Sequence, residues 1–286
     1  MNKPSGHLLG DNSAVRLVGV GVGGGELEQR LLAGAVGPLA DLLDTGGSVP
    51  APRRLQDLEG YELDGLAILL VAVAVDGTDE EIHAALFLAW RACFLDVRVI
   101  CILIHPRGND GSNPEIEEAM TDQIIDGQID IWADATEDEM QALRWFYGGL
   151  RGVVRDGTLI LEPGWDLADV VEVLDLPGSR LSLATHTVPK GASILEAVAE
   201  ALADLESSGC DLALASGALL VLWRAPDQTL YARDVREAAR LAGQALGQGG
   251  VHLTLTARSR VPWGEVGGCA TVIASTPARF DLGGAR

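Results

Sequence analysis

The chain has 286 residues, 48% of them hydrophobic, and its 41 acidic and 21 basic residues give a net charge of −20. This length fits one large domain or two ordinary ones. Phosphate binding by nucleic-acid proteins requires clustered Lys and Arg, so a nucleic-acid partner is not expected. The amino terminus lacks the apolar core of a signal peptide, and the longest apolar run, Leu66 to Val75, is too short to span a bilayer. We therefore expect a cytoplasmic protein without direct membrane insertion.

Strands and helices alternate through the first half of the chain. The predicted strands are Val15–Val20, Ala67–Val75, Arg98–Ile104 and Gln128–Trp132, and the predicted helices are Glu26–Ala33, Glu80–Leu95 and Pro114–Ile124. Continuous apolar strands separated by helices are typical of a parallel sheet that is covered on both faces. The four cysteines, Cys93, Cys101, Cys210 and Cys269, are not at metal-binding spacing, and we expect reduced, buried thiols and no metal site.

A long helix is predicted to begin at Thr136, because Thr136 and Glu139 form a capping box. An apolar stripe at helical spacing follows it. After Leu174 the pattern changes to several strands per helix. The predicted strands there are Arg180–Val188, Gly217–Trp223, His252–Ala257 and Cys269–Ser275, and the predicted helices are Ser193–Leu205 and Leu230–Leu246. We expect an α/β protein divided into residues 1–135, a central helix and acidic loop at 136–173, and a smaller α+β subdomain at 174–286.

The glycine-rich segment after the first strand is the clearest candidate for ligand binding. Glycines let the backbone approach a phosphate, and the free N–H groups of a helix start attract anions. Gly19, Gly21, Gly23, Gly24 and Gly25 are therefore the candidate cofactor-binding residues. One feature opposes this interpretation. Glu26 opens the predicted helix, where a carboxylate would repel a phosphate.

Four segments, in the same order, resemble the FtsZ/tubulin superfamily. The segment from Val15 to Gly25 resembles its first nucleotide loop, and Gly164 to Val170 resembles the acidic loop after its central helix. The strand Gly217 to Trp223 with the turn and helix that follow resembles its carboxy-terminal subdomain. The last predicted strand, within Gly267 to Thr276, resembles the final strand of the family. The resemblance covers nearly the whole chain and implies a nucleotide-type parallel sheet, a long central helix and a smaller α+β subdomain.

The resemblance also implies a function and a site. Members of the FtsZ/tubulin superfamily bind GTP or GDP and polymerise head to tail. Asp166 and Asp169 match the acids of this family that act on the neighbouring subunit's nucleotide. The second glycine loop of the family is replaced here by Val75 to Glu81, where one glycine remains among four acids. We therefore expect weak or absent GTP binding. The expected protein is an FtsZ-like scaffold for cell division or membrane remodelling, which associates with itself or with another FtsZ-like subunit.

Other interpretations stay open at this point. The protein could be an active GTPase with a remodelled site, in which Asp166 and Asp169 are catalytic, although these acids also suit a helix cap. Gly19, Gly21 and Gly24 also fit the dinucleotide fingerprint, so an NAD-binding or other nucleotide-binding enzyme is a further alternative. That fingerprint needs an acid at a strand end, and Asp41 and Asp44 lie at the right distance without a strand.

Overall fold

The structure is a computed structural model, which describes residues 15–34, 55–58, 61–107, 113–154, 159–160, 173, 179–246, 251–258 and 263–277. The strands are β1 Val15–Gly19, β2 Ile68–Ala74, β3 Arg98–His105, β4 Gly127–Trp132, β5 Leu159–Ile160, β6 Ser179–Pro189, β7 Gly217–Arg224, β8 Val251–Arg258 and β9 Val266–Pro277. The helices are α1 Gly21–Ala33, α2 Asp79–Phe94, α3 Pro114–Thr121, α4 Glu137–Val154, α5 Ile194–Ser207 and α6 Ala232–Ala245. Among these described helices, none is long and apolar enough to cross a membrane.

The described strands form one sheet in the order β1-β2-β3-β4-β6-β9-β7-β8-β5. Strands β1 to β4 are parallel, and the apolar sequences of β2 and β3 are buried almost throughout because helices cover both faces. In the second half, β9 runs antiparallel between β6 and β7. The two halves join where β4 pairs with β6 at only two residue pairs, Gly127 with Ser179 and Gln128 with Arg180. The α/β architecture expected from the sequence is confirmed, whereas the subdomain boundaries stay a prediction.

The central helix α4 packs on a face that both halves share. Its buried side chains belong to the same apolar cluster as residues of β1, β2, β7 and β8. Trp145 contacts the rings of Trp223 and Trp263 at centroid distances of 4.8 and 5.2 Å. Tyr147 accepts a hydrogen bond from the Leu17 backbone N–H of β1 through its hydroxyl oxygen, at 3.3 Å. The aromatic residues of this helix therefore fill the core between the two halves.

Among the details that differ from the sequence predictions, two concern the glycine segment and the cysteines. Helix α1 begins at Gly21 instead of Glu26, so the glycine segment forms its first turns instead of a loop before it. The cysteines are free, but only Cys101 and Cys269 are buried, whereas Cys93 is exposed and Cys210 is half-buried. Burial raises the pKa of the Cys101 thiol to about 12, which keeps it protonated and unreactive at neutral pH.

Candidate functional site

The glycines after β1 allow α1 to lie unusually close to the sheet. A Cβ atom on Gly24 would stand 2.2 Å from the backbone oxygen of Ala72 in β2. A Cβ atom on Gly19 would stand 2.2 Å from the backbone oxygen of Gly24. Such separations are far below van der Waals contact, so both positions exclude a side chain. These two glycines are needed for packing whether or not a ligand binds beside them.

The amino terminus of α1 holds a carboxylate that belongs to another helix. Gly21 has a φ of 71°, a conformation that favours glycine, and the preceding Val20 offers no side-chain cap. The Val22 N–H donates a hydrogen bond of 3.1 Å to Oε1 of Glu81, from the first turn of α2. A Cβ atom on Gly21 would stand 2.3 Å from the same oxygen. Glu81 therefore occupies the place where a helix start would receive a phosphate oxygen.

The other oxygen of the same carboxylate caps α2. Glu81 Oε2 accepts a hydrogen bond of 2.9 Å from the Thr78 N–H, and the Thr78 hydroxyl oxygen accepts one of 3.3 Å from the Glu81 N–H. This is a complete capping box. Asp79 and Glu80 share the first turn of α2, where the helix dipole favours negative charge. One carboxylate thus joins the starts of α1 and α2.

The arrangement has a direct chemical consequence for anions. A phosphate at either helix start would have to displace the Glu81 carboxylate or lie against it. Two unit charges about 4 Å apart repel by about 1 kcal/mol in water and by about 4 kcal/mol near a protein surface. From the sequence, Glu26 is the expected source of this repulsion at the start of α1, but Glu26 lies in the second turn of α1 and is exposed. The repelling group at the start of α1 is Glu81.

A second carboxylate binds the backbone on the other side of this segment. Glu28 Oε2 accepts a hydrogen bond of 2.9 Å from the Gly19 N–H. Burial raises the pKa of Glu28, and the hydrogen bond from Gly19 lowers it by less than burial raises it. The backbone N–H groups of Gly19 and Val22 are thus both satisfied by side chains of this chain. The assignment of Gly19, Gly21, Gly23, Gly24 and Gly25 to nucleotide binding stays a prediction.

The predicted catalytic acids cannot be placed beside this site. Asp166 and Asp169 lie outside the described residues, as do Asp41 and Asp44, which the dinucleotide alternative required. Their roles therefore stay predictions. A role for Glu81 in capping was missed, although Thr78-x-x-Glu81 is a capping-box pattern that the sequence displays. The contact with Val22 could not be seen in the sequence, because 59 residues separate the two partners.

A second polar cluster lies at the junction of the two halves. Beyond their two residue pairs β4 and β6 separate, and a cleft of about 480 Å³ lies between them, away from the glycine segment. Asp130 contacts Nε2 of the buried His105 at 2.7 Å and Nε of Arg180 at 2.7 Å, and it accepts a hydrogen bond of 2.6 Å from Gln128. Burial alone would raise the pKa of Asp130, but these three partners together outweigh burial and lower it.

The cluster explains His105, the histidine that stands at the carboxyl end of β3. His105 is 5% exposed, and its ring lies 5.4 Å from that of Trp132, so it is part of the packed junction. Asp130 stays ionised at neutral pH and holds residues of β3 and β6 together across β4. The geometry is that of a structural ion-pair network, which the sequence did not indicate because its members lie far apart in the chain.

Comparisons with known proteins locate this fold among those of the tubulin-like proteins. No protein-family model matches the chain, and no curated protein matches it in sequence. Its structure is similar to that of an empty FtsZ dimer from M. jannaschii, with a TM-score of 0.63 and 14% identity over 94% of this chain and 89% of that one.

Two other solved structures are similar to the chain over most of its length. One is a GTPγS-bound protofilament of CetZ2 from Haloferax volcanii, with a TM-score of 0.58 and 15% identity over 91% of this chain and 92% of that one. The other is a protofilament of TubZ from Bacillus thuringiensis serovar israelensis, with a TM-score of 0.54 and 12% identity over 92% and 87%. The chain therefore has the FtsZ/tubulin-like fold that its sequence predicted.

Proposed function

We propose that this protein, which has the FtsZ/tubulin-like fold, is a cytoplasmic scaffold that assembles with itself or with an FtsZ-like subunit. It works in cell division or membrane remodelling and binds GTP weakly or not at all. The observation that carries this proposal is the Glu81 carboxylate, which bonds to Val22 at the start of α1 and to Thr78 at the start of α2. A side chain thereby fills the anion position that a nucleotide phosphate would need.

Self-association is supported by the forms in which similar structures were obtained. FtsZ from M. jannaschii is described as a dimer, and CetZ2 and TubZ are described as protofilaments. A head-to-tail contact that does not close on itself produces a filament. In a scaffold of this kind, the internal carboxylate keeps both helix starts satisfied without nucleotide, so assembly does not depend on hydrolysis.

The decisive experiment measures GTP binding to the wild type and to Glu81→Ala by calorimetry, with magnesium present. We expect no saturable binding below 1 mM in the wild type, which corresponds to a binding free energy weaker than about −4 kcal/mol. In Glu81→Ala the N–H groups of Val22 and Thr78 are released and one negative charge is removed. We expect GTP affinity to rise about fivefold or more.

Two control variants test whether the effect on GTP affinity depends on the position of the carboxylate and on its charge. Glu26→Ala removes a carboxylate from the exposed side of α1, and we expect no gain in affinity. Glu81→Gln keeps an acceptor while removing the charge, and we expect a smaller gain than with alanine. Saturable submillimolar GTP binding by the wild type would refute the proposed nucleotide site, and GTP turnover would instead support an active GTPase.

Assembly is tested separately by sedimentation velocity and electron microscopy, with and without GTP. We expect oligomers or filaments whose amount does not change when GTP is added. A protein that stays monomeric at all concentrations, alone and with an FtsZ-like subunit, would contradict the scaffold role. That result would not affect the conclusion that Glu81 prevents GTP binding, which the calorimetric experiment tests independently.

A further inference from the structure

The outward face of α2 carries a row of aromatic rings. Phe87, Trp90 and Phe94 are spaced by three and four residues, which places them on one side of the helix, and they are 40%, 51% and 80% exposed. Neighbouring rings lie close together, with centroids 6.4 Å apart for the first pair and 5.8 Å for the second. Leu95, 46% exposed, follows Phe94 directly at the end of the helix. We call these four residues the aromatic face.

The core does not need these side chains. The opposite side of α2 packs on the sheet through small and aliphatic residues, namely Ile82, Ala85, Leu88, Ala89 and Ala92. A helix that covers a sheet normally turns charged or polar residues to water. With about 150–250 Å² for each aromatic side chain, the three rings expose on the order of 350 Å² of surface. This is the size of the largest apolar patch on a typical monomer, and such patches are often interaction sites.

Acidic residues flank the aromatic face at both ends among the described residues. Asp79 and Glu80 lie at its amino end, and Asp96 lies beyond its carboxyl end. Helix α3 runs along one flank, since His83 contacts Glu115 at 3.2 Å. One cation, Arg91, borders the face: its guanidinium lies 5.9 Å from the centroid of the Phe87 ring and is held there by hydrogen bonds of 2.9 and 3.0 Å to the backbone oxygens of Leu58 and Tyr61.

We infer that the aromatic face binds a protein partner through a basic amphipathic helix. Apolar residues at i, i+3 or i+4, and i+7 of such a helix match the row of rings, and its Lys or Arg residues meet the acidic rim. A second copy of this chain that docked through the same face would instead bring an equal acidic rim against the first. An anionic membrane surface is repelled for the same reason.

The inference is tested with three synthetic 20-residue peptides, measured by fluorescence anisotropy in 0.3 M NaCl to screen non-specific attraction. The first has a leucine stripe and lysine elsewhere, the second has glutamate in place of lysine, and the third scatters the leucines of the first. We expect the first peptide to bind the wild-type protein at least tenfold more tightly than either of the others. Equal binding of the acidic or scattered peptide would overturn the inference.

Variants locate the binding on the protein. The triple variant Phe87→Ser, Trp90→Ser and Phe94→Ser should weaken binding of the first peptide at least tenfold. The single variant Phe94→Ala, at the most exposed ring, should weaken it severalfold and keeps a measurement available if the triple variant folds poorly. Tyr231→Ser, which removes another exposed aromatic residue from the second half, should leave the affinity unchanged. Unchanged binding by the Phe94→Ala variant would contradict the inference.

Two further measurements distinguish the competing occupants. Sedimentation velocity compares self-association of the wild type and the triple variant, and we expect no difference. Co-sedimentation uses vesicles of phosphatidylcholine with 30% phosphatidylglycerol, and we expect no binding by either protein. Loss of self-association in the triple variant would assign the aromatic face to a second copy, and vesicle binding that requires the rings would assign it to a lipid surface. Either result would overturn the protein-partner inference.

Discussion

Replacing Gly24 with alanine tests whether the glycine segment is required for packing. The new Cβ atom would stand 2.2 Å from the Ala72 backbone oxygen, whereas carbon and oxygen atoms in close contact are about 3.3–3.6 Å apart. Helix α1 must therefore move away from β2 by about 1 Å. The same oxygen accepts a hydrogen bond of 2.8 Å from the Val20 N–H, so it cannot move without weakening that bond.

Three contributions determine how much Gly24→Ala changes the free energy of unfolding. Overpacking a tightly packed position costs about 1–3 kcal/mol, and weakening the bond at Ala72 costs up to about 1 kcal/mol. Alanine is a better helix former than glycine, which returns up to about 1 kcal/mol. We expect Gly24→Ala to lower the free energy of unfolding by about 2 kcal/mol. For a chain of 286 residues, that is a fall in melting temperature of roughly 3–4 °C.

The assay is urea unfolding followed by circular dichroism, supported by thermal melting, with Gly23→Ala as the matched control. A Cβ atom on Gly23 would meet only the Cβ atom of Ala74 at 3.1 Å, a side-chain contact that a small shift relieves. We expect Gly23→Ala to change stability by less than about 1 kcal/mol. If Gly24→Ala were as stable as the wild type, the explanation of this segment by close packing would be wrong.

Three other substitutions are predicted from the same structure. Tyr147→Phe leaves the Leu17 N–H without its partner and should cost about 1–2 kcal/mol in urea unfolding. Glu28→Gln removes a carboxyl whose pKa burial raises, so the wild type should lose stability relative to the variant as pH rises from about 4.3 through the raised value. Asp130→Asn removes an ionised partner from His105 and should cost about 1–3 kcal/mol at pH 7. Because the pKa of Asp130 is lowered, that difference should persist down to about pH 3.9 and shrink as pH falls through the lowered value.

Each of these predictions has an outcome that contradicts it. Equal stability of Tyr147→Phe and the wild type would mean that the Leu17 N–H finds another partner. A wild type that gains stability relative to Glu28→Gln as the pH rises would show that the pKa of Glu28 is lowered in the folded protein. For Asp130→Asn, a stability difference from the wild type that does not depend on pH between 2 and 7 would contradict the lowered pKa of Asp130.

Much of the fold could be predicted because its signals are local in the sequence. The apolar runs of β2 and β3 predict buried parallel strands, and the observed bounds of both strands agree with the predicted bounds within one residue. The sequence also predicts the capping box at Thr136, and in the structure Glu139 accepts hydrogen bonds from the Thr136 N–H and hydroxyl. The start of α1 was misplaced because glycines have low helix propensity, and here the helix is stabilised by its packing on the sheet.

The order of strands and helices follows from local sequence patterns, because burial periodicity and capping pairs act over a few residues. The sequence also indicated the FtsZ/tubulin-like architecture through the order of its motifs. What lies at the start of α1, in contrast, depends on contacts between distant parts of the chain. Glu81 reaches Val22 because the turn after β2 brings the start of α2 to the start of α1, although the two helices pack on opposite faces of the sheet. A contact across 59 residues leaves no pattern in a single sequence. The glycines that suggested a phosphate site are therefore seen to hold α1 against Ala72 and to admit a carboxylate of the same chain.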